Sequence, residues 1–191
     1  MATFLGLTDL RLETGELYED GTPAVKTLPA SKLAWQCTEA VRRFCQSADP
    51  ELRAEHFTYI VGLDKPAVDG PRTYTLNNQV REYLLPYAGK VWADLCNREG
   101  QLKFGHDAYF KQWQLGLYGP PIINADYILV DEFQDSDPVL VDVLHRQNAL
   151  LILVGDDAQQ IFEWRGAINA LKSFPGSETL YLSQSFRFGP A

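Results

Sequence analysis

Residues 127–135 read YILVDEFQD, and this stretch predicts the fold of the chain around it. Tyr127 to Val130 form a short apolar run without helical periodicity, which is typical of a strand buried in a parallel sheet. Asp131 and Glu132 follow at the carboxyl end of that strand, where open α/β sheets bind their ligands. Two carboxylates are costly to bury without a cation, so the pattern favours Mg²⁺ held together with phosphates. The alternative is a strand that ends in a solvated acidic turn.

Two further apolar runs extend this pattern along the chain. The run LLILV at 150–154 ends in Gly155-Asp156-Asp157, and the run TLYL at 179–182 leads into SQSFRFG. Helical stretches separate the three runs, so they predict three strands that each end in polar or cationic residues. This layout is typical of a nucleotide site in an α/β fold.

Three motifs in this region resemble those of one helicase family. DEFQD resembles the Walker B motif (motif II) of superfamily 1 helicases of the UvrD/Rep type, VGDDAQQIFEWRGA resembles motif III, and LSQSFRFGP resembles motif IV. A narrower resemblance to the F-box DNA helicase branch and its bacterial relatives lies in GHDAYFKQWQL (105–115), GAINAL (166–171) and SFRFGP (185–190). The resemblance is strong from residue 104 to 191 and diffuse before that.

The resemblance implies a fold and a division into domains. It implies an α/β protein in which part of a P-loop NTPase (RecA-like) parallel sheet follows a mainly helical N-terminal part. Residues 1–103 would form a helical region similar to domain 1B of the family. Residues 104–191 would form the C-terminal part of RecA-like domain 1A, with the Walker B motif, motif III and motif IV.

The resemblance also implies the residues that handle ATP and Mg²⁺. Asp131 is similar to the aspartate that coordinates Mg²⁺, and Glu132 is similar to the general base that activates the attacking water. Gln159 is similar to the motif III glutamine that senses the γ-phosphate. Arg187 is similar to the motif IV arginine that contacts the same phosphate, and its alternative is a plain surface arginine.

Four more residues receive roles in the same way. Gln134 and Asp135 lie on the turn after the strand and would couple the nucleotide to neighbouring motifs. Trp164 is similar to an aromatic residue that stacks on a base of single-stranded DNA. Arg165 is a candidate for an ion pair or for contact with the DNA backbone.

The implied function is part of an ATP-dependent DNA helicase that couples ATP hydrolysis to 3′–5′ translocation on single-stranded DNA. The sequence contains no GxxxxGK[ST] phosphate loop. Gly89-Lys90 does not complete one, because Leu84 stands where the first glycine is needed and Val91 where serine or threonine is needed. We therefore expect the Walker A region and a second RecA-like domain to act as partners in cis or in trans. We also expect the 191 residues to be a fragment, a split gene product or a decayed remnant that is inactive alone.

A structural expectation follows from the same comparison with the family. If the Walker A strand lies between the Walker B and motif III strands, this chain lacks a central strand of its own sheet. It would then expose unpaired ladder groups and be poorly soluble. Two other functions remain open: a non-catalytic remnant that binds DNA or a partner protein, and a Mg²⁺-dependent phosphohydrolase without a P-loop.

Composition limits the possible functions. Apolar residues make up 46% of the chain, and the net charge is −8, so a bulk cationic nucleic-acid binder is excluded. Residues 123–191 carry ten acids and four bases, which places most of the acidity around the predicted Mg²⁺ site. Three cysteines without metal-ligand spacing predict an intracellular protein, cytoplasmic or nuclear. No apolar run approaches membrane-spanning length, so no membrane partner is expected.

The remaining sequence predicts helices. Ser31 is a candidate N-cap of a helix that runs to Ser47, and residues 77–97 predict a second helix that Pro86 kinks or interrupts. A short helix is expected to open at His106-Asp107, and another at Asp137-Pro138, with Asp137 as its cap. Residues 1–30 predict a loose or short-stranded lead-in. Arg42-Arg43 is either a solvated face or a contact with DNA.

Overall fold

A computed structural model describes residues 1–64, 75–156, 159 and 170–182. Trp164, Arg165 and Arg187 lie outside these described residues. The described part is a mixed α/β structure with two sheets of two strands each. None of its helices combines the length and the apolarity that crossing a lipid bilayer requires.

The N-terminal segment forms a short helix and a hairpin. Helix α1 spans Ala2–Leu5, and strands β1 (Leu10–Leu17) and β2 (Pro23–Leu28) pair antiparallel, with Leu10 opposite Leu28. The predicted short-stranded lead-in is therefore confirmed.

Three helices build the larger hydrophobic core. Helix α2 spans Ala30–Cys45, α3 spans Thr75–Cys96 and α4 spans His106–Gln114, and a 3₁₀ helix covers Ala54–His56. Their apolar stripes meet in a core that includes Leu33, Cys37, Phe57, Leu84 and Val91. The prediction of a mainly helical N-terminal part is thus confirmed for the described residues.

Two details of these helices differ from the prediction. Ser31 is not the cap of α2, because the helix begins at Ala30 with Pro29 as N-cap, and the Ala30 N–H donates to Asp9 Oδ1 at 2.9 Å. Pro86 lies inside α3 without interrupting it. Pro86 is exposed, so water can reach the helix carbonyl that loses its N–H partner there.

The C-terminal segment contains a parallel pair of strands. Strand β3 spans Tyr127–Val130, α5 spans Pro138–His145 and β4 spans Leu150–Leu153. Helix α5 starts as predicted, because the Asp137 side chain accepts the Leu140 N–H at 3.0 Å and Pro138 occupies the first turn. A 3₁₀ helix at Phe133–Asp135 connects β3 to α5, and another covers Ala170–Ser173.

The expected gap between the Walker B and motif III strands does not exist. β3 and β4 pair directly in register, Tyr127 with Leu150 through Val130 with Leu153. The pairing continues past the strands, since Val154 N–H donates to Val130 O at 2.8 Å and Phe133 N–H donates to Val154 O at 2.9 Å. The single helix α5 provides the crossover that a parallel pair needs, so no strand has to intervene.

Two other expectations about the sheet were wrong. Residues 179–182 form no strand, and the Leu182 side chain is 94% exposed, because no described segment pairs with them. The strand β3 is also not buried on both faces. Ile128 packs on the small core around Phe133, Val141 and Leu144, whereas Leu129 points away from this core and is 61% exposed.

Candidate functional site

The carboxylates Asp131 and Glu132 lie where the sequence predicts them, directly after β3. Both residues are exposed, and Asp131 Oδ1 accepts the Glu132 N–H at 2.9 Å. Glu132 has φ = 52°, which makes it the one described non-glycine residue in the left-handed region. Holding such a residue there costs about 1–2 kcal/mol. This backbone turn directs the chain from the end of β3 into the 3₁₀ helix at Phe133–Asp135.

Gln134 fixes the position of the Glu132 side chain. Its amide is buried, and Nε2 donates to Glu132 Oε2 at 2.7 Å. Its Oε1 accepts the Asp156 N–H at 3.0 Å. One buried amide therefore links the turn after β3 to the turn after β4. The predicted role of Gln134, to couple the nucleotide to neighbouring motifs, stays a prediction.

Gln159 lies next to the same turn. Its N–H donates to Asp156 O at 3.0 Å, and its side-chain Nε2 donates to Asp156 Oδ2 at 2.7 Å. Hydrogen bonds thus connect Glu132, Gln134, Asp156 and Gln159 in sequence. Asp156 was not predicted as a site residue. Its position two residues after the second apolar run was the signal that could have identified it.

Of the other predicted site residues, one lies beside this chain of hydrogen bonds and three lie outside the described residues. Asp135 is half-buried at the end of the 3₁₀ helix, and its N–H donates to Glu132 O at 3.0 Å. Trp164, Arg165 and Arg187 are outside the described residues, so their predicted roles stay predictions.

The carboxylate pair suits Mg²⁺ that arrives with phosphates better than a protein-only metal site. Among the described residues, no group of three or more His, Cys, Asp or Glu side chains could hold a metal ion. Protein-bound Mg²⁺ usually takes one or two carboxylates and fills its other positions with water and substrate oxygens. Asp131 is exposed and uses one oxygen for the Glu132 N–H, so the donor set fits this mode.

Helix α5, which follows the carboxylate turn, is tied to the helical region through α4. Gln114 Nε2 donates to Asp142 Oδ2 at 2.7 Å and to Ala48 O at 3.4 Å. Arg146 donates to Gln114 O at 2.9 Å and pairs with Asp142. Polar contacts of α4 therefore connect the two hydrophobic cores.

Lys111 of α4 places a buried ammonium group beside the segment that follows α2. Its Nζ donates to Ser47 O at 2.9 Å and to Asp49 O at 2.6 Å, and it lies 4.4 Å from the centre of the Phe44 ring. Desolvation by burial lowers the pKa of Lys111 to about 8. The negative charge of Asp49 acts in the opposite direction on this pKa but does not cancel the desolvation.

Comparison with known proteins identifies the class of this chain. Residues 123–174 match the UvrD/REP helicase N-terminal domain. This segment contains β3, the carboxylate turn, α5, β4 and Gln159. The predicted recognition is confirmed: the chain matches a fragment of a UvrD-like superfamily 1 helicase.

Individual relatives include the F-box helicases that the narrower resemblance predicted. The chain is 33% identical over 179 residues to F-box DNA helicase protein 1 of Schizosaccharomyces pombe, covering 88% of this chain and 18% of that protein. It is 42% identical over 107 residues to F-box DNA helicase 1 of Gallus gallus, covering 54% and 10%. It is 32% identical over 111 residues to Escherichia coli DNA helicase II, covering 51% and 15%.

These matches cover only a small part of each relative. The chain spans between 10% and 18% of the length of these three relatives. No solved structure matches it significantly. The homology supports a helicase-related function for the chain.

Proposed function

We propose that this chain is part of an ATP-dependent DNA helicase that translocates 3′–5′ on single-stranded DNA. In this proposal, residues 104–191 belong to RecA-like domain 1A, and residues 1–103 form a 1B-like region. The Walker A region and the second RecA-like domain are supplied by segments outside these 191 residues. The names of the relatives, which are DNA helicases, support this assignment.

The observation that carries the proposal is the bridge made by Gln134. A general base must be held within reach of the water that it deprotonates. The bond from Gln134 Nε2 to Glu132 Oε2 holds one carboxylate oxygen of the base, at 2.7 Å. The other end of the same amide binds the Asp156 N–H, so Glu132 is positioned relative to both strand ends.

The other predicted site residues have separate roles in this proposal. Asp131 would hold Mg²⁺, which when bound supplies positive charge to the phosphate oxygens. Glu132 would accept the proton of the attacking water, because its carboxylate is exposed and already ordered. Gln159, held by Asp156, would report the state of the γ-phosphate to the strand ends. Arg187 would contact the same phosphate, and Trp164 and Arg165 would contact single-stranded DNA.

The test is ATP turnover by the full-length protein that contains this chain. Glu132→Gln keeps the size of the side chain and removes the base, so single-stranded DNA-stimulated turnover should fall by about 10²- to 10⁴-fold. The matched control is Glu178→Gln, which changes an exposed acid outside the site and should leave turnover unchanged. Turnover that survives Glu132→Gln would refute the proposal. DNA binding without any nucleotide dependence would instead favour a non-catalytic remnant.

A further inference from the structure

A cavity outside the carboxylate site lies between the end of α3 and the side of α4. It has a volume of about 450 Å³ and is lined by Asp94, Phe104, Tyr109, Gln112 and Tyr118, among others. This volume falls in the range typical of ligand pockets, which is about 300–1,000 Å³. The roles predicted from the helicase motifs use none of these residues.

The aromatic side chains of this cavity face solvent instead of a core. Phe104 is 50% exposed, Tyr109 is 51% exposed and Tyr118 is 65% exposed. The Phe104 and Tyr109 rings lie 6.4 Å apart with an angle of 36° between their planes. His106 packs edge-on against Tyr109 at 5.6 Å, so the Tyr109 ring is supported on one side. Such exposed ring faces are suited to stacking.

Hydrogen bonds hold the walls of the cavity in place. Tyr118 donates its hydroxyl to Gln112 Oε1 at 2.9 Å, and Gln112 Nε2 donates to Leu95 O at 2.9 Å. Asp94 accepts the N–H groups of Gln101 and Leu102 at 3.0 and 2.8 Å, which fixes the loop that leads to Phe104. These bonds fix the Tyr118 ring and the backbone that leads to Phe104.

Two cations lie beside these rings. In residues 94–107, Arg98 and Lys103 stand against Asp94, Glu99 and Asp107, a net charge of −1. Arg98 lines the cavity, and Lys103 directly precedes Phe104. The nearby Asp107 carboxylate accepts a hydrogen bond from Gln46 at 3.0 Å. Cations beside exposed rings are the combination that binds single-stranded nucleic acid.

We propose that this cavity, called here the aromatic pocket (Phe104, Tyr109, Tyr118 and Arg98), binds a base of single-stranded DNA by stacking. The Phe104 and Tyr109 rings contact the face of the base, and Arg98 and Lys103 lie near the phosphates on either side. The interaction does not depend on base identity, since every base has a π-face. The inference rests on the proposed helicase function and adds a second DNA contact besides Trp164 and Arg165.

The test is photo-crosslinking of the full-length protein that contains this chain to an oligonucleotide that contains 4-thiothymidine. Trypsin cuts after Lys103 and Lys111, so Phe104 and Tyr109 share the peptide 104–111, whereas Trp164 and Arg165 lie in the peptide 147–165. We expect a DNA adduct on peptide 104–111. An adduct on peptide 147–165 alone would overturn the aromatic pocket and leave the helicase proposal standing. No adduct and no binding would count against both.

A second test of the aromatic pocket measures binding to oligo(dT). Tyr109→Ala should weaken binding by about 5- to 150-fold, the range expected for loss of one stacked base, whereas Tyr109→Phe keeps the ring and should bind normally. Tyr18→Ala, which removes an exposed ring elsewhere, is the control, and circular dichroism checks the fold. Unchanged binding by Tyr109→Ala refutes the proposal. Displacement of the oligonucleotide by equimolar thymidine monophosphate would identify a free nucleotide as the ligand and refute it equally.

Discussion

Replacing Lys111 by Met should destabilise the protein by an amount that grows with pH. Lys111 is fully buried, and its ammonium group donates to the carbonyls of Ser47 and Asp49. Met has a similar length and an unbranched chain, so it fills the space without replacing these bonds. Two carbonyls then lose their donor, which costs about 1–3 kcal/mol each.

A second effect opposes this loss at neutral pH. Burial lowers the pKa of Lys111 from 10.5 to about 8, so the charged group is disfavoured in the folded protein. That shift corresponds to about 3 kcal/mol, because each pKa unit is worth about 1.4 kcal/mol. Met removes this penalty. We therefore expect Lys111→Met to lower the free energy of unfolding by only about 1 kcal/mol at pH 7.

The pH dependence has a definite sign. Between the folded pKa of about 8 and the unfolded pKa of 10.5, the unfolded chain binds the proton and the folded protein does not. The contribution of Lys111 to the stability of the parent protein therefore rises with pH across this window, by up to about 1.4 kcal/mol per pH unit. The Lys111→Met variant lacks this rise, so its deficit should increase to about 2 kcal/mol at pH 9.

Urea unfolding at pH 7, 8 and 9, followed by far-ultraviolet circular dichroism, measures this difference. Lys32→Met removes an exposed lysine from α2 and serves as the control for the loss of charge. The thiols of Cys37 and Cys45, whose ordinary pKa is 9.0, also titrate in the unfolded chain, but both proteins contain them and their contribution cancels in the difference. A deficit that stays constant or shrinks as pH rises would refute the account of Lys111 as a desolvated ammonium.

Four further outcomes are expected. Gln134→Ala should lower the free energy of unfolding by about 1–3 kcal/mol, because the Asp156 N–H loses its buried acceptor, and urea unfolding measures the loss. Asp137→Ala should lower the free energy of unfolding by about 1 kcal/mol because it removes the cap of α5, whereas Asp137→Ser should keep most of that stability. Equal melting temperatures for the two variants would contradict this. Glu132→Gly should be more stable than Glu132→Ala by about 1 kcal/mol, since glycine adopts φ = 52° without strain. Burial raises the pKa of Cys37 to about 12, so this thiol should lower stability as pH rises from about 9 to 12, and Cys37→Ala should remove this part of the pH dependence in a series of melts while the equal part from Cys45 remains.

Local signals predicted β3, β4 and the start of α5, because those features depend on a few neighbouring residues. The apolar run before Asp131 and the pair Asp137-Pro138 are examples, and both were placed within a residue of their observed bounds. The cap of α2 failed for the opposite reason. Asp9 accepts the Ala30 N–H although it lies 21 residues away in the chain. A local sequence pattern cannot predict such a distant partner.

The arrangement of the strands depends on pairing, which the sequence does not state directly. The run at 179–182 contains two leucines and a tyrosine, yet it forms no strand, because a strand needs a partner that satisfies its N–H and C=O groups. The expected gap beside β3 was wrong for the related reason that strand order was taken from the family and not from the chain. In the structure β3 and β4 satisfy each other directly.

The direct pairing of β3 and β4 explains why the predicted site residues can meet at all. With a strand between them, the ends of β3 and β4 would lie two strand spacings apart, about 9–10 Å, which is too far for one amide to span. As neighbours they bring Glu132 and the Asp156 N–H within reach of Gln134, which binds both. The sequence motifs supplied the carboxylates and the glutamines, but strand pairing turns them into a site. Gln134 is therefore the residue through which a displacement of the turn after β4 would reach the Glu132 carboxylate.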